Sequence, residues 1–265
     1  MMEKKVKKDL HTTQEWVNIL KKQAEYTKKY RYDLYEKVHM KDKDLILDIG
    51  CGTGVITEEI ASLTSGHVVG IDIDAGRLGE AQKLTSPWST ISLTRADSVR
   101  LPFRENTFDL ITFSVVLTHI QEQQEAICEM TRVVKQSGIV LAAMEPDYAG
   151  ILNYPPDETH EIFLDYLKKM GVALQTGRKL KYLFEKAGLT TTMGVFSGYF
   201  EKINEDPHSR IEEFIKHFHK TEQILKNYGW DRSRIEPYKE HVLELMEKNL
   251  WFSFCPCFNA IGIKR

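Results

Sequence analysis

The 265-residue sequence is poor in cysteine, with only Cys51, Cys128, Cys255 and Cys257, and it contains no CxxC pair. That spacing argues against a zinc ribbon or a thioredoxin-like centre, and no metal site is expected. Cys255 and Cys257 stand two apart, which on a strand places both thiols on one face; a packing role is the expectation. Long apolar runs are also missing. No stretch of about eighteen apolar residues occurs, so no transmembrane helix is expected. The lysine-rich opening MMEKKVKKDL leads into no apolar segment of a secretory signal, and a cytoplasmic protein is the default expectation. A strong excess of basic charge is absent as well. The net charge is −2, which disfavours nucleic acid as the main partner. What remains is 42% apolar and 28% charged, enough for one large α/β domain with an appended lid.

Along the chain, residues 12–38 carry Trp16, Ile19, Leu20, Tyr26, Tyr30, Leu34 and Val38 at helical spacing. From residue 44 onward, short β-rich runs alternate with amphipathic stretches. The runs are DLILDIG (44–50), HVVGIDID (67–74), ISLTRAD (91–97), TFDLITF within 107–120, and GIVLAAMEP (138–146). Such alternation predicts βαβ units, a parallel sheet and helices on both faces. The second half predicts helices over 157–172 and 177–189, a strand over 190–200, about fifty helical residues (204–250) and a closing strand FSFCPCFNAIGIKR. Pro256 within that last strand predicts an edge position or a bulge. Asn153-Tyr154-Pro155-Pro156 reads as a loop whose prolines limit chain entropy.

The sharpest signal is Asp48-Ile49-Gly50-Cys51-Gly52-Thr53-Gly54, which follows a strand and opens a helix. Glycines there let the backbone bend tightly and let a ligand approach with no Cβ in the way. The spacing is GxGxG, not the GxGxxG of pyrophosphate-binding dinucleotide folds. Asp72 closes the second strand, where a carboxylate can accept from both hydroxyls of a ribose. Ala96-Asp97-Ser98 closes the third, where an acid can accept from an adenine amino group. All lie at the carboxyl ends of neighbouring parallel strands, where open α/β sheets bind ligands. Asp48 can also serve the turn itself through backbone amides.

LDIGCGTG resembles the first motif of the class I S-adenosylmethionine-dependent methyltransferases. RADSVRLPFRENTFDLITFSVVLTHI resembles the following stretch in the small-molecule branch that includes the ubiquinone and menaquinone enzymes. The resemblance covers residues 44–146 and GRKLKYLFEKAGL. It implies a doubly wound, mostly parallel seven-stranded α/β sheet of order 3-2-1-4-5-7-6 with the last strand antiparallel. It further implies a core of residues 41–203 and 251–265, a helical N-terminal cap (1–40), and an insert (204–250) between the last two strands that lids the acceptor or forms a homodimer surface. S-adenosyl-L-methionine is the implied cofactor and S-adenosyl-L-homocysteine the product. By the match, Gly50, Cys51, Gly52 and Gly54 line the cofactor. Asp72, with Ile73 beside it, takes the ribose side, Ala96, Asp97 and Ser98 the adenine, and Ser114 and Val115 the methionine part.

Methyl transfer is an in-line displacement in which the cofactor carries the hard chemistry, so no catalytic side chain is demanded. His119, after the fourth strand, can still accept a proton from a hydroxyl acceptor. On the N-terminal helix, Arg31 can pair with the cofactor's carboxylate, and Tyr26 or Tyr30 can face the sulfonium. Glu145 and Asp147, at the end of the fifth strand, and Tyr199 are the candidates on the side of the small-molecule acceptor; the two acids can equally cap a turn beside Pro146.

Overall fold

The computed structural model describes residues 13–196 and 206–265, so Tyr199 and the latter part of the strand expected over 190–200 lie outside the described residues. A helix, α1 (Thr13–Lys37), leads into the alternating core. There follow β1 (Leu45–Ile49), α2 (Val55–Leu63), β2 (His67–Asp72), α3 (Ala75–Thr85), β3 (Ile91–Arg95), β4 (Phe108–Ser114), α4 (Gln123–Val133) and β5 (Val134–Pro146). The second half holds β6 (Leu152–Tyr154), α5 (His160–Lys169), α6 (Thr176–Lys186), β7 (Leu189–Val195), α7 (Pro207–Asn227), α8 (Arg232–Glu247), β8 (Phe252–Phe254) and β9 (Cys257–Lys264).

Seven strands form one sheet in the order β3-β2-β1-β4-β5-β9-β7. The pairs from β3 to β5 are parallel, and β9 runs antiparallel to both β5 and β7. With β7 as the sixth and β9 as the seventh core strand, this is the order expected above. Period-two alternation divides the strands between two apolar layers. On one face Leu47, Ile49, Ile111 and Phe113 join Met130 of α4 and Phe184 of α6. On the other, Ile46, Val68 and Leu110 join Leu34 and Tyr35 of α1, Val38 just after it, and Ile60 of α2. Asp48 is two residues from Ile46 and so belongs to the α1–α2 side.

Two details differ from the sequence reading. The closing strand is broken at Cys255–Pro256 into β8 and β9, and β9 is an interior strand rather than an edge. Proline has no N–H to give a ladder, so pairing stops at Pro256 and resumes at Cys257. The segment Leu152–Tyr154, expected as loop, instead pairs antiparallel with β8 as a small separate ribbon. The long insert is two helices with a core of their own: Phe218, Leu225, Trp230 and Ile235 are buried against Phe214, Tyr238 and Ile162 of α5. Asp231 starts α8 by accepting the Arg234 amide at 3.1 Å. No described helix is long and apolar enough to cross a membrane.

Candidate functional site

The turn after β1 is built on left-handed glycines: φ is +68° at Gly50, +55° at Gly52 and +83° at Gly54. It is fixed from the neighbouring strand, since Cys51 N–H donates to the Ile71 carbonyl at 2.9 Å. The Gly52 N–H donates to Oδ2 of Asp72 at 2.9 Å, and Oδ1 of the same carboxylate accepts from Asp74 N–H at 2.8 Å. Asp72 therefore stands at the end of β2 with both oxygens aimed along the rim and lone pairs to spare.

A cavity of about 50 Å³ sits at this turn, lined by Asp48, Gly50, Cys51, Gly52 and Ser114 of the expected set. Thr53, Val55 and Ile56 complete its floor, and Leu20, Gln23, Ala24 and Thr27 of α1 roof it. The Thr53 hydroxyl is buried and has no hydrogen-bond partner among the described residues. Asp48 is buried beneath the turn and accepts from the Thr57 hydroxyl at 2.6 Å. Burial pushes its carboxyl up to about 7, against the pull of the Thr57 hydrogen bond. Burial likewise pushes the Cys51 thiol up, with Asp48 adding to the effect, so Cys51 is a wall rather than a nucleophile.

Beyond Asp72 the rim opens. Ile73 is 61% exposed, an isolated apolar side chain beside the acid. Asp97, also exposed, uses Oδ1 to accept from Val99 N–H at 3.1 Å, while Ser98 is buried and Ala96 half-buried next to it. These residues border the carboxyl ends of β2 and β3, away from the cavity under α1. Gly54 does not face the cavity; a Cβ there would stand 3.0 Å from that of Ala81 on α3. Its role is close helix packing.

At the end of β4 the backbone is forced. Val115 has φ of +55°, a conformation that costs a β-branched residue of the order of 1–3 kcal/mol. Two neighbours hold it there. The Val115 N–H donates to the Met144 carbonyl at 2.7 Å. Glu145, fully buried on β5, accepts from the amides of Val116 at 2.8 Å, Leu117 at 3.2 Å and Thr118 at 3.1 Å. Burial pushes the Glu145 carboxyl up to about 7 while those amides pull it down.

Several expected roles are corrected. Glu145 turns inward onto those three amides and does not face an acceptor. Asp147 is also buried, clamped by Arg178 through Nε at 2.7 Å, Nη2 at 2.5 Å and the backbone N–H at 2.9 Å. Both acids serve turn and helix starts, because each offers acceptors to amides that have no other partner. Arg31 is buried and spent: Nε and Nη2 meet Glu59 of α2 at 2.9 and 2.7 Å, Nη2 also meets the Ala24 carbonyl at 2.7 Å, and Nη1 meets Thr27. It fastens α1 to α2 and offers no fork to a ligand carboxylate. Tyr26 and Tyr30 meet Phe196 in edge-to-face contacts, with centroids 6.4 and 4.3 Å apart, and neither lines the cavity. His119 reaches the surface from the turn that Glu145 anchors; surrounding protein and nearby Arg77 hold its imidazole below the usual value.

The N-terminal helix is expected at the site through Tyr26, Tyr30 and Arg31, but the α1 residues that line the cavity are Leu20, Gln23, Ala24 and Thr27, and Leu20 reads in the sequence only as part of an apolar stripe. The signal available was the small pair Ala24 and Thr27, three apart on one helix face, which lets α1 lie close on the glycine turn. Thr53 was overlooked between two glycines.

A glycine turn bent this way, joined by its own amide to an acid at the next strand's end, on a sheet of this order, is the arrangement implied by the resemblance to the class I S-adenosylmethionine-dependent methyltransferases. Residues 47–142 match the family model described as Methyltransferase domain. The match covers the core from β1 into β5, and the chain is similar to several named methyltransferases. It is 28% identical over 187 residues to the demethylmenaquinone methyltransferase of Lysinibacillus sphaericus, covering 64% of this chain and 80% of that protein. It is 29% identical over 159 residues to an uncharacterized methyltransferase of Schizosaccharomyces pombe, covering 56% of this chain and 57% of the yeast protein, so it spans little over half of that relative. Among solved structures, Haemonchus contortus phosphoethanolamine N-methyltransferase 2, in complex with phosphomonomethylethanolamine and S-adenosylhomocysteine, superposes with a TM-score of 0.61 at 18% identity, covering 88% of this chain and 52% of that one. At that identity the likeness concerns the fold.

Proposed function

We propose that the protein transfers the methyl group of S-adenosylmethionine to a small or medium organic acceptor, with α1 and the α7–α8 insert forming the wall on the acceptor side. The observation that carries this reading is the convergence at one crevice of the bent glycine turn, Asp72 and the unpartnered hydroxyl of Thr53. Those residues fit an adenosyl sulfonium compound. Gly50 and Gly52 leave no side chain in its path, Asp72 retains acceptor capacity for a diol, and Ile73 and Asp97 offer an apolar surface and an acceptor to a base. The Thr53 hydroxyl gains a partner from any polar group entering the cavity.

When bound, the cofactor supplies an activated methyl on a sulfonium. The chain's part is to hold, orient and exclude water. The rigid turn after β4, pinned by Glu145, fixes Ser114 at the cavity wall. Small-molecule sites run about 300–1,000 Å³, several times the 50 Å³ found under α1, so Leu20, Gln23, Ala24 and Thr27 must give way for the cofactor. Ion pairs from Lys22 to Glu213 at 3.4 Å and from Lys220 to Glu15 at 3.7 Å link α1 to α7. These surface pairs are worth only about 0–1 kcal/mol each, but they set α7 of the insert beside α1, which supports a shared lid.

The test has two stages. Calorimetry should show binding of S-adenosylhomocysteine and none of NADH; the reverse would remove the assignment. Protein incubated with methyl-labelled S-adenosylmethionine and a panel of phenols, quinols, amines and thiols should then yield a labelled small molecule. Label appearing only in added protein or RNA would move the acceptor to a macromolecule.

A further inference from the structure

Cys255 and Cys257 flank Pro256 at the break between β8 and β9, and both are reduced and half-buried. Two extended residues carry a chain about 6.6–7.2 Å, near the upper limit of about 6.8 Å between the Cα atoms of a disulfide. Here neither Cys255 nor Pro256 belongs to a strand, and proline fixes φ near about −65°, which shortens the span. The Cys255 S–H donates to the Pro256 carbonyl at 3.9 Å, which leaves its sulfur lone pairs to accept. The Cys257 thiol is pushed up, first by its hydrogen bond to the Cys255 sulfur and then by burial. Cys255 is thus the member of the pair that gives up its proton first. Tyr148 faces both thiols, and Glu145 faces Cys257. The same segment anchors the strand ends. The Pro256 carbonyl accepts from Asp147 N–H at 2.8 Å, and the Cys257 carbonyl from Phe196 N–H at 2.8 Å. Phe196, just past β7, in turn meets Tyr26 and Tyr30 of α1. A change at the two sulfurs is therefore felt where β5, β7 and the roof helix meet.

We propose that Cys255 and Cys257 form a redox-active dithiol that reacts with low-molecular-weight disulfides such as glutathione disulfide, Cys255 attacking and Cys257 resolving. The Cys255 thiolate bonds to one sulfur of the reagent and expels the other as a thiolate. The Cys257 sulfur gives up its proton, bonds to Cys255 and expels the second thiolate. The dithiol is oxidised by two electrons, the reagent is reduced to two thiols, and the two protons of the pair end on those products. Drawing the two sulfurs to bonding distance moves the carbonyls of Pro256 and Cys257. It therefore strains the hydrogen bonds of Asp147 and Phe196 and loosens the strand ends beneath α1.

The test uses the full chain with Cys128→Ser, since Cys128 is exposed on α4, and glutathione disulfide as the reagent. Peptide mapping without reduction should show a Cys255–Cys257 bridge in folded protein, no lasting glutathione adduct, and loss of the bridge in excess reduced glutathione. Cys257→Ser should stop at a mixed disulfide on Cys255, whereas Cys255→Ser should react at least about tenfold more slowly. Amide hydrogen exchange at Asp147 and Phe196 should speed up at least about fivefold in the bridged chain, with the β1 amides unchanged. An adduct that accumulates on the intact pair, or equal rates for the two serine variants, would overturn the roles given to the two thiols. A bridge that forms only once near-ultraviolet circular dichroism shows the fold lost would overturn the dithiol itself. Unchanged exchange at Asp147 and Phe196 in the bridged chain would overturn the link to α1.

Discussion

Gly50 lies directly beneath Val116: a β-carbon on Gly50 would stand 2.4 Å from Cγ2 of Val116 and 2.9 Å from Cγ1. The first loop of the crevice and the turn after β4 are thus fitted to each other with no room for a methyl group. Val116 cannot retreat easily, because Glu145 holds its amide at 2.8 Å and Val115 before it is already left-handed. Gly50→Ala should cost both fold and ligand. The φ of +68° alone penalises alanine by about 1–2 kcal/mol, and the overlap adds to it. Chemical denaturation should show the loss, and affinity for S-adenosylhomocysteine should fall at least tenfold. Val116→Ala in the same chain should restore part of the stability, since it removes the overlap and not the backbone strain. No recovery in the double variant would show that the contact is not the cause.

Asp72 holds the Gly52 and Asp74 amides, and in the proposed complex it also accepts from the ribose. Asp72→Ala removes both. Loss of charge-assisted hydrogen bonds should weaken S-adenosylhomocysteine binding by about 1–3 kcal/mol. Asp72→Asn keeps one acceptor oxygen and should fall between. Calorimetry decides; unchanged affinity in the alanine variant would displace the ribose from this strand end.

The pair Arg31–Glu59 holds the roof of the cavity, with side-chain exposures of 2% and 11%. Removing one member of a buried pair strands the other, at a cost of about 3–5 kcal/mol. Glu59→Gln or Arg31→Met should each lower stability to urea accordingly. The double replacement by apolar residues should recover most of it, because no buried charge is left alone. If the single variants are as stable as the wild type, the pair is not what fastens α1 to α2. Loosening of α1 should also speed association of S-adenosylhomocysteine in stopped-flow measurements, since α1 covers the way in.

The parts of this architecture carried by local pattern could be read in advance. Gly50, Gly52 and Asp72 sit at strand ends that hydrophobic runs mark clearly, after β1 and at the end of β2. Residues whose role depends on a distant partner could not. Arg31 reads as a ligand-binding cation until Glu59, 28 residues away, is found against it. Glu145 and Asp147 read equally as acceptor-facing acids or as turn caps, and only their partners, the amides of residues 116–118 and Arg178, decide for the second. Composition shows that such groups are charged; only the fold shows which of them are already paired. Pro256 follows the same rule: its missing N–H predicts an edge or a bulge, but the chain breaks before it and resumes after it as β9 in the sheet interior.

His119 stands at the same turn as Val116, and its proton is governed by its surroundings. Arg77 of α3 lies near it, stacked over the Trp16 ring at 4.9 Å, and an imidazolium there must share space with that guanidinium. Enclosure by protein is the larger cause of the lowered value and Arg77 the second. An NMR titration of His119 should therefore place its midpoint below about 6.5, and Arg77→Gln should move it up. Linkage fixes the sign for stability. The unfolded chain takes up this proton first as pH falls, so the contribution is complete above about pH 6.5 and is lost as pH drops towards the folded value. A neutral imidazole at pH 7 is also the form able to accept a proton from an acceptor hydroxyl. With a substrate from the labelled-methyl screen, the acid limb of kcat/KM should follow the NMR midpoint and shift with it in Arg77→Gln. A limb that stays put while the midpoint moves would assign the proton transfer elsewhere, and would leave His119 a surface residue of the turn that Glu145 holds.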